Sequence, residues 1–234
     1  SEEHNNPSIQ LTLSDKDFDY LDSNKKEFVK TVLPIIINEN QNILMIRSFV
    51  NELKGKLETF RTLNNNEIRK LNDIAKKYNI KYQNKHKLDL VDEILSNVDV
   101  IPNSIVLAQA AIESGWGKSR FAKEYNALFG EYTYDDSEGV IPLERENGDT
   151  HLIKAFSSYS NSVESYFDNI NSHYAYEEFR DIRNIMRKRN NFSNVNLLVN
   201  KLSTYAEDEN YIKTIRQVIK TNNFGIFDQK TISY

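Results

Sequence analysis

The chain has 234 residues with 30 basic and 34 acidic side chains, and its formal net charge of −4 gives no general pull toward nucleic acid or an anionic lipid surface. Cysteine is absent, which excludes a disulfide framework and any cysteine-ligated metal. The four histidines (His4, His86, His151, His173) lack metal-ligand spacing, so neither a metal nor another cofactor is expected.

Residues 1–14 are polar and read as a disordered tail. Residues 15–97 read as a helical extension packed on the body that follows. Phe18, Leu21, Phe28, Val29 and Val32 form a helical stripe that Pro34 interrupts, and Ile43, Ile46, Val50, Leu53 and Leu57 alternate spacings of three and four. After the capping run Asn64-Asn65-Asn66, a further stripe follows through Ile68, Leu71, Ala75 and Tyr78. An antiparallel helical pair is the simplest arrangement. It can act as a brace or protein-partner surface, or as extra core, and the apolar stripes favour core. No apolar run approaches the roughly 20 residues that span a bilayer.

Residues 98–234 carry the chemistry. Pro102-Asn103-Ser104 reads as a helix start, Ile105 to Ile112 is almost unbroken apolar sequence, and Gly115 suits the left-handed position that closes a helix. Glu113 then falls in the last turn, at the negative end of the helix dipole, with Trp116 and Phe121 nearby in sequence. Both surroundings favour the protonated carboxyl, the form a general acid needs. An ordinary polar residue at a helix end would look the same in isolation. Between Phe129 and Phe156 the pattern becomes that of a small antiparallel lobe: Tyr132 and Tyr134 alternate with polar neighbours, Asp135 to Gly139 reads as a turn, and Asn147-Gly148 signals a hairpin. Helices resume with Asn161 and Glu164 as a capping box, Asn194 as a cap for Val195 to Leu202, and a last helix marked by Tyr211, Ile215 and Val218. The expected fold is mainly α, with one small β-lobe forming a cleft wall.

The string Ala108-Gln109-Ala110-Ala111-Ile112-Glu113-Ser114-Gly115-Trp116-Gly117-Lys118-Ser119, followed by Asn126-Ala127-Leu128-Phe129-Gly130, resembles glycoside hydrolase family 73, the cell-wall β-N-acetylglucosaminidases, and within it the Bax-like bacterial branch. Val100 to Ser104, Gly139 to Pro142, and Asn171-Ser172-His173 with Tyr176 are similar to the same branch. The resemblance runs from about Val98 to about Phe224, with a weaker echo near Phe28 to Asn40. It implies a lysozyme-like helical body, with residues 98–234 as the glucosaminidase domain, and Glu113 as the acid for the glycosidic oxygen. Glycosidases of this kind need a second carboxylate or a substrate acetamido group in its place. The lobe offers Glu131, Glu138, Glu144 and Glu146, of which Glu144 falls closest to the family's second acidic position. Ser203-Thr204-Tyr205-Ala206-Glu207-Asp208 is similar to a family segment whose Tyr is functionally important, which assigns that role to Tyr205. Asn126, Trp116, Ser114 and Phe129 are expected at the substrate, with a structural role open for Asn126 and a core role for Trp116. His173 matches the branch pattern and can equally be structural, and Arg187-Lys188-Arg189 reads as a solvated helix end.

The expected activity is hydrolysis of the β-1,4 bond between N-acetylglucosamine and N-acetylmuramic acid in peptidoglycan glycan strands. The alternatives are a lytic transglycosylase or muramidase on the same polymer, and a weakly active wall-binding or scaffold protein that recruits a partner through residues 15–97. That substrate implies an exported protein of the periplasm or cell envelope, with a signal peptide or anchor removed ahead of Ser1.

Overall fold

The computed structural model describes residues 15–142, 148 and 150–230. The expected tail at residues 1–14, and Glu144, Glu146 and Asn147 of the lobe, lie outside the described residues.

After a 3-10 turn at Asp15–Phe18 comes α1 (Ser23–Glu58), then α2 (Asn65–Lys77) and α3 (Lys87–Asn97). Asp22 caps α1 by accepting the Lys25 N–H, and Asn64 and Glu67 form a reciprocal capping box on α2. Pro34 does not interrupt the first stripe. It lies inside a single 36-residue helix, where a lost backbone bond and a ring clash cost about 3 kcal/mol. Burial of Val32, Leu33, Ile36 and Ile37 around it offsets that cost. The first hundred residues are therefore one long helix with α3 laid along it and α2 against α3, where the stripes had suggested an antiparallel pair.

The central element is α4 (Asn103–Ser114), which α1 also flanks. Nearly every residue from Asn103 to Ala111 is fully buried, so the helix runs through the middle of the core with no solvent face until its last turn. Core residues from Phe18 to Phe227 form one continuous cluster, in which side chains of α1 and α3 pack together with those of α4.

The loop that aims α4 is buried too. Asn40 of α1 donates to the Ile101 carbonyl at 2.8 Å and accepts the Ile101 N–H at 3.0 Å. Arg47 donates to the Leu95 and Val98 carbonyls, 2.6 and 2.8 Å away. From α7 (Glu177–Lys188), Arg183 donates to the Asn97, Asp99 and Val100 carbonyls and to Asn171 Oδ1. Arg187 grips the Asp99 carboxylate with two bonds of 2.9 and 2.6 Å. The basic run at the end of α7 is thus a clamp on a buried loop as well as a solvated end, and this corrects the sequence-based expectation. The cap of α4 comes from 124 residues away: Asp228 accepts both the N–H and the hydroxyl of Ser104, while neither Pro102 nor Asn103 caps the helix with its own side chain.

Beyond α4 lie the short α5 (Arg120–Tyr125) and a three-stranded sheet of β1 (Tyr132–Thr133), β2 (Gly139–Val140) and β3 (Leu152–Lys154). The order is β1-β3-β2, with both outer strands antiparallel to β3; Tyr132 faces Ile153, and Gly139 faces Lys154. Gly139 is needed for close approach across the ladder: a Cβ there would lie 2.5 Å from Leu152 Cβ. Helix α6 (Tyr159–Ser172) follows, capped by Ser158 rather than by the expected Asn161. After the Tyr174–Tyr176 turn and α7 come α8 (Val195–Val199), a 3-10 stretch at Asn200–Tyr205, α9 (Tyr211–Thr221) and a last 3-10 stretch at Phe224–Lys230. Asn194 precedes α8 without a side-chain cap, and His173 caps the Tyr174 turn by accepting the Ala175 N–H. No described helix is long and apolar enough to cross a membrane.

Candidate active site

A cleft of about 730 Å³ opens between the end of α4, the sheet, α6 and the Asn200–Tyr205 stretch. Glu113 lies in its wall, as the spacing in sequence requires: it is the first residue of α4 to turn its polar group out of the core. Gly115 closes the helix in the left-handed conformation (φ 56°), and its N–H bonds back to the Ala111 carbonyl. The chain after Phe129 passes directly over the Glu113 carboxylate. Gly130 adopts φ +64°, and a Cβ there would sit 3.2 Å from Glu113 Oε2, so two separate requirements call for glycine.

A directed hydrogen-bond chain reaches Glu113 through the core. Tyr166 donates to Gln109 Oε1, Gln109 Nε2 donates to the Tyr211 hydroxyl at 3.2 Å, and that hydroxyl donates to the Glu113 carboxylate. Gln109 is one helical turn before Glu113 on α4, and Tyr211 opens α9. Since the Tyr211 oxygen already accepts from Gln109, its proton is directed at Glu113. Burial pushes the Glu113 carboxyl above its ordinary range, and the Tyr211 bond pulls it part of the way back. Aromatic rings account for the dryness: Tyr205 stacks parallel to Tyr211 at 5.9 Å, and Phe129 stacks on Tyr166 at 4.3 Å.

Of the residues expected at the site, the cleft brings together Glu113, Phe129 and Tyr205. The Tyr205 hydroxyl donates to the Phe129 carbonyl at 2.9 Å, which ties the strand segment over Glu113 to the helical body. Three of the others lie elsewhere, and for Trp116 and Asn126 this is the core or structural role left open from the sequence. Ser114 is buried, donating to the Ala110 carbonyl and accepting the Gly117 N–H, so it locks the turn after α4. Trp116 packs edge-on against Phe28 and beside Phe224, under the Lys25 ammonium, away from the cleft lining. The aromatic group expected to dry Glu113 is therefore replaced by the tyrosines. Asn126 sits in the left-handed cap of α5 and donates to the Phe156 carbonyl, so it holds the exit of β3 rather than facing the cleft. Of the lobe carboxylates, Glu138 is exposed beside Thr133, whereas Glu131 lines the cleft. Glu144 lies outside the described residues.

The cleft also contains residues that were not expected there. α6 presents Ser165, Asp168, Asn169 and Ser172 along one edge, spaced three, four and seven residues on from the first, while Val163, Tyr166, Phe167 and Ile170 fill the core behind them. That polar stripe at helical spacing was the signal available in the sequence. Lys77 and Asn79 reach the cleft from the end of α2. Among the described residues, no group of three or more His, Cys, Asp or Glu side chains could hold a metal ion.

Residues 88–224 match the family model of the glucosaminidases, described as mannosyl-glycoprotein endo-β-N-acetylglucosaminidase. The chain belongs to the glucosaminidase family. This glucosaminidase is 33% identical to the Bax protein of Escherichia coli K12 over 184 residues, which cover 78% of this chain and 63% of Bax. It is 35% identical over 92 residues to the peptidoglycan hydrolase FlgJ of the same strain, covering 35% of this chain and 29% of FlgJ. The chain thus spans less than two thirds of the length of these curated relatives. The catalytic domain of the autolysin Auto from Listeria monocytogenes superposes over 82% of this chain and 97% of its own length, with a TM-score of 0.43 and 18% identity.

Proposed function

We propose that this glucosaminidase is a peptidoglycan hydrolase of the cell envelope that cuts the β-1,4 bond between N-acetylglucosamine and N-acetylmuramic acid, with Glu113 as the general acid. The observation that carries this is the setting of Glu113: a carboxyl that burial raises above its ordinary range, beside a wall of aromatic rings in an open cleft. The protonated carboxyl delivers its proton to the glycosidic oxygen as the bond to the anomeric carbon breaks. The Tyr211 hydroxyl then stabilises the carboxylate left behind. Support for the polymer comes from the relative FlgJ, whose name is that of a peptidoglycan hydrolase. Two groups can meet the second requirement of the reaction. Glu144 of the lobe would act as the base that activates water, or the substrate's own acetamido oxygen would attack in its place. Tyr205 holds the Phe129–Glu131 segment over the cleft and so positions either arrangement.

Product analysis tests the bond assignment. Digested peptidoglycan should yield reducing-end N-acetylglucosamine, and an anhydromuramic end or reducing-end muramic acid would instead identify a transglycosylase or muramidase. Glu113→Gln should lower turnover by about 10²–10⁴ with binding of glycan strands retained. Unchanged wall function in that variant would point to a scaffold.

A further inference from the structure

The turn that follows α4 is built from backbone that most residues avoid. Gly115, Trp116 and Gly117 take φ values of 56°, 57° and 77° in succession, and of the three only Trp116 carries a Cβ that opposes this conformation. Such a turn persists only where its surroundings hold it. The same winding fixes the last turn of the helix. The N–H groups of Gly115 and Trp116 both bond to the Ala111 carbonyl, the second at 2.9 Å, and Glu113 lies inside the loop those bonds close. Much of what grips the turn belongs to the extension. The Phe28 ring meets the Trp116 ring edge-on with centroids 5.6 Å apart, and a Cβ on Gly117 would lie 3.2 Å from Phe28 Cδ2. Lys25 Nζ stands 4.9 Å from the centre of the Trp116 ring and donates to Asn222 Oδ1 at 3.0 Å. Phe224, fully buried, lies 6.0 Å from the same ring and leads through Phe227 to Phe18 ahead of α1. Lys25 and Phe28 precede residues 88–224, so the family match does not account for this clasp.

We infer that Trp116 is a positioning residue for Glu113, and that through it the extension takes part in catalysis. Phe28 and Lys25 lock the indole, the locked indole keeps the left-handed turn wound, and the wound turn holds the Glu113 carboxyl at the Tyr211 hydroxyl. The role rests on Glu113 being the general acid. A group that hands over a proton must keep its orientation toward the bond that breaks, so a loosened turn costs turnover. It should not cost affinity, because none of Lys25, Phe28, Trp116 and Phe224 lines the cleft. A tryptophan that served as core alone would leave a different mark. Its loss would lower the melting temperature and leave kcat unchanged wherever the chain is still folded.

Trp116→Gly is the deciding variant, since it relieves the backbone and removes the anchor together. In the whole chain, well below its melting temperature, the amides of residues 115 and 116 should lose their protection from hydrogen exchange while those of Val106 and Leu107 keep theirs. On peptidoglycan, kcat should fall by about 10–10²-fold with KM unchanged. Trp116→Phe keeps a ring against Phe28 and Phe224 and should restore kcat to within about threefold of the parent. Phe28→Leu keeps apolar volume in the core but withdraws the edge-on ring; it should show the same split at about threefold, and it decides the matter where Trp116→Gly does not fold. Lost protection with kcat unchanged, retained protection, or a rise in KM that matches the fall in kcat would each overturn the role of Trp116. The exchange measurement needs no substrate, so a failure of the clasp is distinguishable from a failure of the hydrolase assignment, which an inactive parent chain would reveal.

Discussion

Asp99, in the loop before α4, and Glu113, in its last turn, illustrate two ways of burying a carboxylate. Asp99 is fully buried, yet each of its oxygens is engaged: by Arg187, by the N–H of Val100 and by the nearby Arg47 guanidinium at 3.4 Å. Burial by itself would raise its pKa, but Arg187, Arg47 and Arg183 hold it below the usual carboxylate range. Glu113 is only half-buried, has a single neutral donor and is raised. Charge that is matched holds the loop in place, and charge left unmatched is available for chemistry. The same contrast separates the loop from Asp168 of the cleft.

Breaking the matched side should have the largest effect on folding. Asp99→Ala leaves buried guanidinium groups without their anion and should cost about 3–5 kcal/mol of unfolding free energy in a denaturant titration. The native protein also loses stability as pH falls through the depressed Asp99 pKa, because the stabilising charge is present only above it. Glu113→Gln should do the reverse, lowering turnover by about 10²–10⁴ while leaving the melting temperature close to that of the parent. Gly130→Ala is intermediate: the left-handed backbone costs about 1–2 kcal/mol, and the added methyl displaces the Glu113 carboxylate, so turnover should fall along with stability.

The unmatched side gives an effect of opposite sign. Asp168 takes up a proton in the native state as pH falls through about 7, whereas the unfolded chain does so near its ordinary value of 3.8. Native stability therefore declines as pH rises between those values, and Asp168→Asn removes the penalty. At pH 8 this variant should melt higher, by about 2–4 °C if the gain is about 1 kcal/mol. A lower melting temperature would show that Asp168 is matched in the way Asp99 is. The smallest effect is expected from Tyr211→Phe. Loss of its donated bond raises the Glu113 pKa further, so the alkaline limb of the pH–rate profile, where the acid loses its proton, should move to higher pH. An unmoved limb would separate Tyr211 from Glu113.

Features built from neighbours in the chain were legible in the sequence. The apolar run from Ile105 to Ile112 placed Glu113 at the exit of a buried helix, Gly115 closed that helix, and the run Asn64-Asn65-Asn66 supplied the cap of α2. Features that depend on distant partners were not. Asp228 capping Ser104, Arg187 seizing Asp99, and Gln109 passing a hydrogen bond to Tyr211 join residues roughly 90 to 124 positions apart. Trp116 shows the same limit: its place beside Glu113 in the chain suggested a shared pocket, but the left-handed turn at Gly115 sends the ring to the other side of the helix end, against Phe28 and Phe224.

By itself, then, the sequence determined the place of Glu113 at the end of a buried helix, the mainly helical body with its small lobe, and the family. Local conformation and short-range periodicity suffice for the helix and the body, and the linked motifs for the family. Tertiary structure decided which groups surround the acid and how much charge the cleft keeps. That balance depends on which side chains burial brings together across the fold, and no spacing along the chain encodes it.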